Sequence, residues 1–355
     1  RSSGFHAREK MQVKSYGLVP KKVKVTNSGN LLVEWDEQNI ADTEHEASWL
    51  RAHCYSACER ERRRRPMISW AQEIEQELPV SVYPDIISDN EARLRCFEQV
   101  LDYGFSIVRE VTATPGTLLR VAELFGLVVP SPYADDLDQP QIENIRANLD
   151  GSVNTRKADF LAPHTDTCWR SSLSGLIYLH CLAQHSLGGE TLLVDGVYLA
   201  ERMRTRFPKS FKTLSETPLS FSSNVSVDDE WQVFGRVISL DHDGNVSGVR
   251  YSGGAITQLD LPAQLIEPVC HALDCFEKVL FDEKFWLYLK LAPCDLIVID
   301  NQRVLHGRTA FDPTKCVRHL QTCSTRRDEF HNRYRALCHR MDRIDNRREL
   351  LRGVI

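Results

Sequence analysis

The fragment Pro163-His164-Thr165-Asp166-Thr167 sets an imidazole and a carboxylate two residues apart. On an extended chain, residues i and i+2 project from the same face, so His164 and Asp166 can converge on one point. A metal held there needs a third donor. His306, in Val304-Leu305-His306-Gly307-Arg308, is the candidate, because it follows the apolar run Asp295-Leu296-Ile297-Val298-Ile299-Asp300. Two imidazoles and one carboxylate suit a non-haem ferrous centre whose other coordination positions stay open for a co-substrate and O2. Each fragment alone is common in proteins, and His180, His185 and His319 are equally open to structural roles.

A chelating keto-diacid would need an anchor for its far carboxylate. Arg318 stands 12 residues beyond His306, in Arg318-His319-Leu320-Gln321-Thr322-Cys323, which reads as the next strand. A guanidinium fork matches a carboxylate in bidentate fashion. Thr191, in Gly188-Gly189-Glu190-Thr191, offers a hydroxyl to the same acid.

These residues need a β scaffold, and the sequence supplies many short strands. Residues 175–183, 190–195, 286–291, 295–300 and 318–323 read as strands. A hairpin is expected from 232–240 and 246–251 across Asp241-His242-Asp243-Gly244-Asn245. Helices are expected from the capping pattern at Ser88 to Gly104, from Thr114-Pro115 to Gly126, over 197–207, over 262–281, and in the charged tail from Asp328. Residues 127–160 read as a long functional loop region. An earlier hairpin spans Val23 to Trp35 around Asn27-Ser28-Gly29-Asn30. The fold class expected is mainly β with flanking helices, a distorted barrel or jelly roll, plus a small N-terminal β module. The domains expected are residues 1–60 and 75–355. The basic run from Arg60 to Arg65 reads as a solvated boundary rather than an anion patch.

The composition excludes several classes. The chain has 355 residues, 42% of them hydrophobic, enough for a sizeable core. Lys+Arg number 44 against 49 Asp+Glu, and a net charge of -5 argues against a nucleic-acid partner. No apolar run is long enough for a membrane span. The eleven cysteines lie scattered through apolar stretches and read as reduced thiols of an intracellular protein, cytoplasmic or mitochondrial.

Residues 164–323 resemble the γ-butyrobetaine hydroxylase and trimethyllysine hydroxylase family of Fe(II)/2-oxoglutarate oxygenases. The stretches that carry the resemblance are His164-Thr165-Asp166-Thr167, Leu179-His180-Cys181-Leu182, residues 188–196 and Ile299-Asp300-Asn301-Gln302-Arg303-Val304-Leu305-His306-Gly307-Arg308. Arg318-His319-Leu320 follows, and Tyr103-Gly104-Phe105 extends the match toward the N-terminus. The resemblance implies a double-stranded β-helix, iron ligands His164, Asp166 and His306, and a 2-oxoglutarate contact from Arg318 with Thr191 beside it. The implied cofactors are Fe(II), 2-oxoglutarate and O2. The implied partner is a small-molecule substrate, and a homodimer is compatible with the family's habit.

The chain also departs from that family. The cysteine cluster preceding the N-terminal hairpin is missing, and the family's zinc histidine falls near Asn39, so no structural zinc is expected at His45, His53, Cys54 or Cys58. An aromatic cage holds trimethylammonium groups by cation–π attraction. A cage tyrosine of the family falls at Arg156, its Asn-Asn pair at Ser252-Gly253 after Arg250-Tyr251, and its Trp at Gln302. Tyr133 and Trp169 remain as candidate aromatic walls, with Tyr251 and Ser252 beside them. Arg156 suits an anionic group if it faces the pocket, and pairs with Asp159 or solvent if it does not. The expectation is therefore oxidation of an aliphatic C–H of a small molecule that lacks a trimethylammonium group and carries an anionic one. The alternatives are hydroxylation of γ-butyrobetaine or trimethyllysine, and a non-catalytic interaction protein on the same scaffold.

Overall fold

A computed structural model describes residues 18–36, 40–62, 65, 67–134, 138–146, 158–185, 188–226, 229–312 and 317–343. The chain divides into two compact units, residues 1–64 and 65–355. In the first, β1 (Pro20–Val25), β2 (Leu31–Trp35) and β3 (Thr43–His45) form an antiparallel sheet in that order, and helices Ala47–Ala52 and Ala57–Arg62 follow. Gly29, at φ 84°, takes the left-handed position of the β1–β2 turn.

The second unit continues with β4 (Val80–Val82), β5 (Phe105–Arg109), β6 (Val128–Val129), β7 (Glu143–Arg146), β8 (Leu161–His164), β9 (Leu176–His185) and β10 (Thr191–Asp195). Then come β11 (Leu219–Ser226), β12 (Asp229–Gly235), β13 (Ile238–Leu240), β14 (Val246–Val249), β15 (Leu287–Leu289), β16 (Leu296–Asp300), β17 (Val304–Arg308) and β18 (Val317–Thr325). One sheet runs β4-β5-β16-β9-β18-β6, with β7 also on β18, and the other runs β15-β10-β17-β8. This is the jelly-roll architecture that the strand pattern predicts.

The side-chain period of two sorts the core into layers. On β16, Ile297 and Ile299 meet Leu193, Leu287, Leu289 and Val304 of the other sheet. Leu296 and Val298 face the opposite way, against helices Asn90–Tyr103, Thr117–Phe125 and Arg327–Arg340. A strand covered on both faces must be apolar throughout, which explains the uninterrupted run at 296–299. The outer face of the smaller sheet, through Leu192, Val194 and Leu305, packs on helices Gly196–Arg206, Pro208–Glu216 and Ala263–Leu280.

Several local expectations change. The cap of helix Asn90–Tyr103 is Asp89, whose carboxylate accepts from Glu91 N and Ala92 N; Ser88 instead closes the short helix Tyr83–Ser88. The next helix begins at Thr117, after Gly116 at φ 82°. The expected hairpin over 232–251 is two hairpins. β12 pairs back with β11, while β13 pairs with β14 across Asp241–Asn245. Alternation alone could not distinguish these, because β12 has the same pattern for either neighbour. The 127–160 region carries the short strands β6 and β7, and β7 finds its partner on β18 far along the chain.

One buried ion pair ties the layers together. Arg303 and Asp195 are almost wholly buried, with Nη2 3.0 Å from Oδ2. Arg303 also donates to the carbonyls of Asp102 and Ile68, and Asp195 accepts from Trp70 N and Val197 N. Such a pair is satisfied as a network, and removing one member strands the other charge. Arg303→Met is therefore expected to lower unfolding stability by about 3–5 kcal/mol. Urea unfolding would check this, with Lys24→Ala, which breaks only the exposed Lys24–Glu34 pair, as the comparison expected to cost less than about 1 kcal/mol.

Candidate metal centre

The centre is a cross-strand pair. β8 and β17 are antiparallel with His164 directly opposite His306, and the two rings lie 4.7 Å apart between centroids. Opposed residues in an antiparallel pair have neighbouring side chains on one face. That face is the interior one, because Val304, two residues before His306, belongs to the core between the sheets. Gly307 permits the approach: a Cβ there would come 2.5 Å from the Leu161 carbonyl oxygen.

The chain leaves β8 into a turn, and Asp166 comes back over the pair. Its Oδ1 is 3.2 Å from His164 Nε2 and its Oδ2 3.5 Å from His306 Nε2. One donor atom from each of the three side chains lies within 4.8 Å of the others, the one such group among the described residues. His164 Nδ1 lies 2.9 Å from the Ala162 carbonyl, which can only accept, so Nδ1 carries a proton; Nε2, which donates to Asp166 when it too is protonated, is the nitrogen that can present a lone pair to a metal. Burial opposes charge on Asp166, but His306 and His164 outweigh it and hold the carboxyl well below the usual carboxylate range. Burial likewise opposes charge on His164, and its hydrogen bond to Asp166 prevails, raising its pKa above the ordinary imidazole value. His306 Nδ1 is buried without a hydrogen-bond partner among the described residues. Two imidazoles and an anionic carboxylate, gathered this closely, are a donor set that fits a ferrous ion.

Two polar clamps hold the turn. Fully buried Asn301 accepts from Asp166 N at 2.8 Å and donates to the carbonyls of Asp166 and Ser174, both at 3.0 Å. Thr165 N donates to the Tyr251 carbonyl at 2.7 Å, and Tyr251 N returns a bond to Thr165 Oγ1. Arg250 donates to the carbonyls of Cys168 and Arg170. Sequence reasoning named none of Asn301, Gly307 and Arg250 as site residues. The signal for Asn301 was a polar residue at the end of a wholly apolar strand.

The other expected residues fall in three groups. Thr191 lies on the interior face of β10, in register with Arg308 of β17. Arg318 is buried on β18, two residues from core Leu320, so it too faces inward, and its guanidinium lies over the Phe311 ring, as does that of Arg308. Tyr133 and Trp169 meet edge to face at 6.5 Å between centroids. Burial raises the Tyr133 pKa, the nearby Ser223 side chain opposes the rise, and the Asp166 charge adds to it. Tyr133 is thus within electrostatic reach of Asp166, and Trp169 also packs on the helix-side core.

Tyr251 and Ser252 are placed differently from the expectation of substrate contacts. The Tyr251 hydroxyl donates to Glu277 at 2.6 Å, and its ring packs on Phe276 in the helix-side core. It serves the centre through its backbone. The Ser252 side chain lies near the buried Cys168 thiol, whose pKa burial raises. Gln302 accepts from Arg327 Nη1 at 3.0 Å, so its side chain is committed to the helix Arg327–Arg340. Arg156 lies outside the described residues. His180 Nε2 contacts the Val111 carbonyl and His319 Nε2 the Asn144 side chain, both structural bonds. His45 contacts Thr43, His53 bonds the Trp49 carbonyl, and the Cys54 thiol donates to Ser56, which also contacts Cys58.

Comparison with known proteins gives a consistent picture. Residues 68–324 match the model of the taurine catabolism dioxygenase TauD, TfdA family. A γ-butyrobetaine dioxygenase of Pseudomonas sp. (strain AK-1) is 31% identical over 88% of this chain and 79% of that protein. The human mitochondrial trimethyllysine dioxygenase is 26% identical over 90% of this chain and 74% of that protein. Among solved structures, a taurine dioxygenase from Burkholderia xenovorans superposes with a TM-score of 0.51 at 12% identity, over 74% of this chain and 89% of that one. That likeness speaks to the fold.

Asn301→Ala removes two hydrogen bonds to the Asp166 backbone and one to Ser174 without touching a donor atom. It is expected to weaken Fe(II) binding about 10–100-fold while the chain stays folded, as measured by anaerobic Fe(II) titration beside a thermal melt.

Proposed function

This chain belongs to the taurine catabolism dioxygenase TauD, TfdA family and is an Fe(II)- and 2-oxoglutarate-dependent dioxygenase; on that premise we propose that it oxidises an aliphatic C–H bond of a small molecule bound against Tyr133 and Trp169. The observation that supports this reading is the convergence of His164, Asp166 and His306 at one rung of β8–β17. The non-catalytic scaffold alternative gives way to the family assignment.

His164 and His306, through Nε2, and Asp166, through its carboxylate, would hold the iron. Bound Fe(II) supplies the O2-dependent oxidation, coupled to conversion of 2-oxoglutarate to succinate and CO2. Arg318 would fix the far carboxylate of 2-oxoglutarate, and Thr191 would add a hydroxyl contact. Thr191 stands on the same face of its sheet as His306, Arg318 faces the same interior from the other sheet, and their burial keeps water from competing for the acid. Asn301 and Thr165 keep the Asp166 carboxylate aimed inward. The Tyr133–Trp169 corner offers an apolar wall that orients the substrate's hydrocarbon part.

The substrate in this reading lacks a trimethylammonium group and carries an anionic one, since the position of a cage tyrosine in the related hydroxylases holds Arg156 here. The second reading is hydroxylation of γ-butyrobetaine or trimethyllysine. It is favoured by the 31% identical Pseudomonas relative and by an aromatic pair that would also suit a quaternary ammonium. Turnover of either compound, followed as succinate formation above the substrate-free rate, would decide for it. Arg318→Ala is expected to weaken 2-oxoglutarate binding about 10–100-fold through loss of a charge-assisted contact. Anaerobic 2-oxoglutarate titration of the Fe(II)-loaded protein would check this, and unchanged affinity would overturn the anchor assignment.

A further inference from the structure

The chain after Asp166 folds into a tight turn in which Arg170 N donates to the Thr167 carbonyl at 2.9 Å. Arg250 grips the same turn at the carbonyls of Cys168 and Arg170. Arg170 is thus fixed four residues from a donor of the candidate centre. Its guanidinium lies over the Trp231 ring at 4.5 Å. Trp231 of β12 is in direct register with Ser223 of β11, and the Ser223 side chain is near enough to Tyr133 to oppose the rise of its phenol pKa. One rung of the β11–β12 hairpin therefore carries Arg170 on Trp231 and sets Ser223 near Tyr133.

Two N–H donors on consecutive residues in this corner lack acceptors. Trp169 Nε1 and Arg170 Nε are each buried without a hydrogen-bond partner, and Arg170 has no ion pair with any carboxylate, all among the described residues. Hidden donors of native proteins are nearly always satisfied, and a guanidinium stacked on an indole keeps its fork free for an in-plane acceptor. The acceptor that completes this arrangement is an oxyanion. We infer that Arg170, carried on Trp231 beside the Tyr133–Trp169 wall, is a specificity-determining residue that pairs with a carboxylate of the substrate. The inference rests on the dioxygenase reading and names the charge class that the pocket selects.

The test uses the full chain and tryptophan fluorescence, because Trp169 and Trp231 flank the site. The probes are short straight-chain carboxylates and their primary amides, each with and without a terminal trimethylammonium group. The wild-type protein should bind carboxylates about tenfold or more tightly than the matched amides, the loss expected for one charge-assisted pair. R170Q should abolish that preference, and R170K should retain part of it, which a merely structural role would not produce. Absence of any carboxylate preference in the wild type, or its survival in R170Q with an unchanged thermal melt, would overturn the inference. Should R170Q fail to fold, the comparison of R170K with the wild type decides: an undiminished preference overturns the assignment. A visible charge-transfer band of the wild type with Fe(II) and 2-oxoglutarate is recorded separately. Loss of that band would strike at the dioxygenase reading, and loss of the carboxylate preference alone would strike only at Arg170.

Discussion

The close antiparallel contact of β8 with β17 is the constraint on which the rest of the site depends. It sets His164 opposite His306 and requires glycine at 307, where any side chain would meet the β8 backbone. A slip of one residue in this register would turn one imidazole out of the interior. The two ring positions then leave Asp166 little freedom: its carboxylate bridges both Nε2 atoms, and their influence overcomes the cost of burying its charge.

The surrounding layers exist to hold that register. β17 is fixed on its other side by β10, which brings Thr191 into line with Arg308. The link from β16 to β17 carries both Asn301, which clamps the Asp166 turn, and Arg303, whose buried pair with Asp195 locks the two sheets to the segment around Ile68 and Trp70. A run of four residues, Asp300 to Arg303, therefore couples the core, the helix Arg327–Arg340 and the turn that carries Asp166. Asp300 and Gln302 both receive hydrogen bonds from Arg327.

Much of this was legible in the sequence, for identifiable reasons. The convergence of His164, Asp166 and His306 could be read because residue types and strand periodicity jointly restrict where they point. The apolar run 296–299 announced a strand buried on both faces. That Arg318 lies on a strand after His306 also followed from the strand pattern. The pairing of β12 was not legible, since a strand's pattern does not name its partner. Gln302 was read as a change in the pocket because it aligned with a pocket aromatic of related enzymes, yet its amide is spent on Arg327. Tyr251 was misread for a similar reason: its backbone serves the site, and its phenol serves the core. Asn301 carries no pattern beyond its position, and its three bonds emerge only when residues 135 apart in sequence meet.

The central claim is that His164, Asp166 and His306 form one iron site that receives 2-oxoglutarate. Anaerobic addition of Fe(II) and then 2-oxoglutarate to the apo-protein, followed in the visible, tests it most directly. The account predicts one iron per chain and a weak charge-transfer band that develops only when both are present. Absence of the band, with metal analysis showing no retained iron, would contradict it.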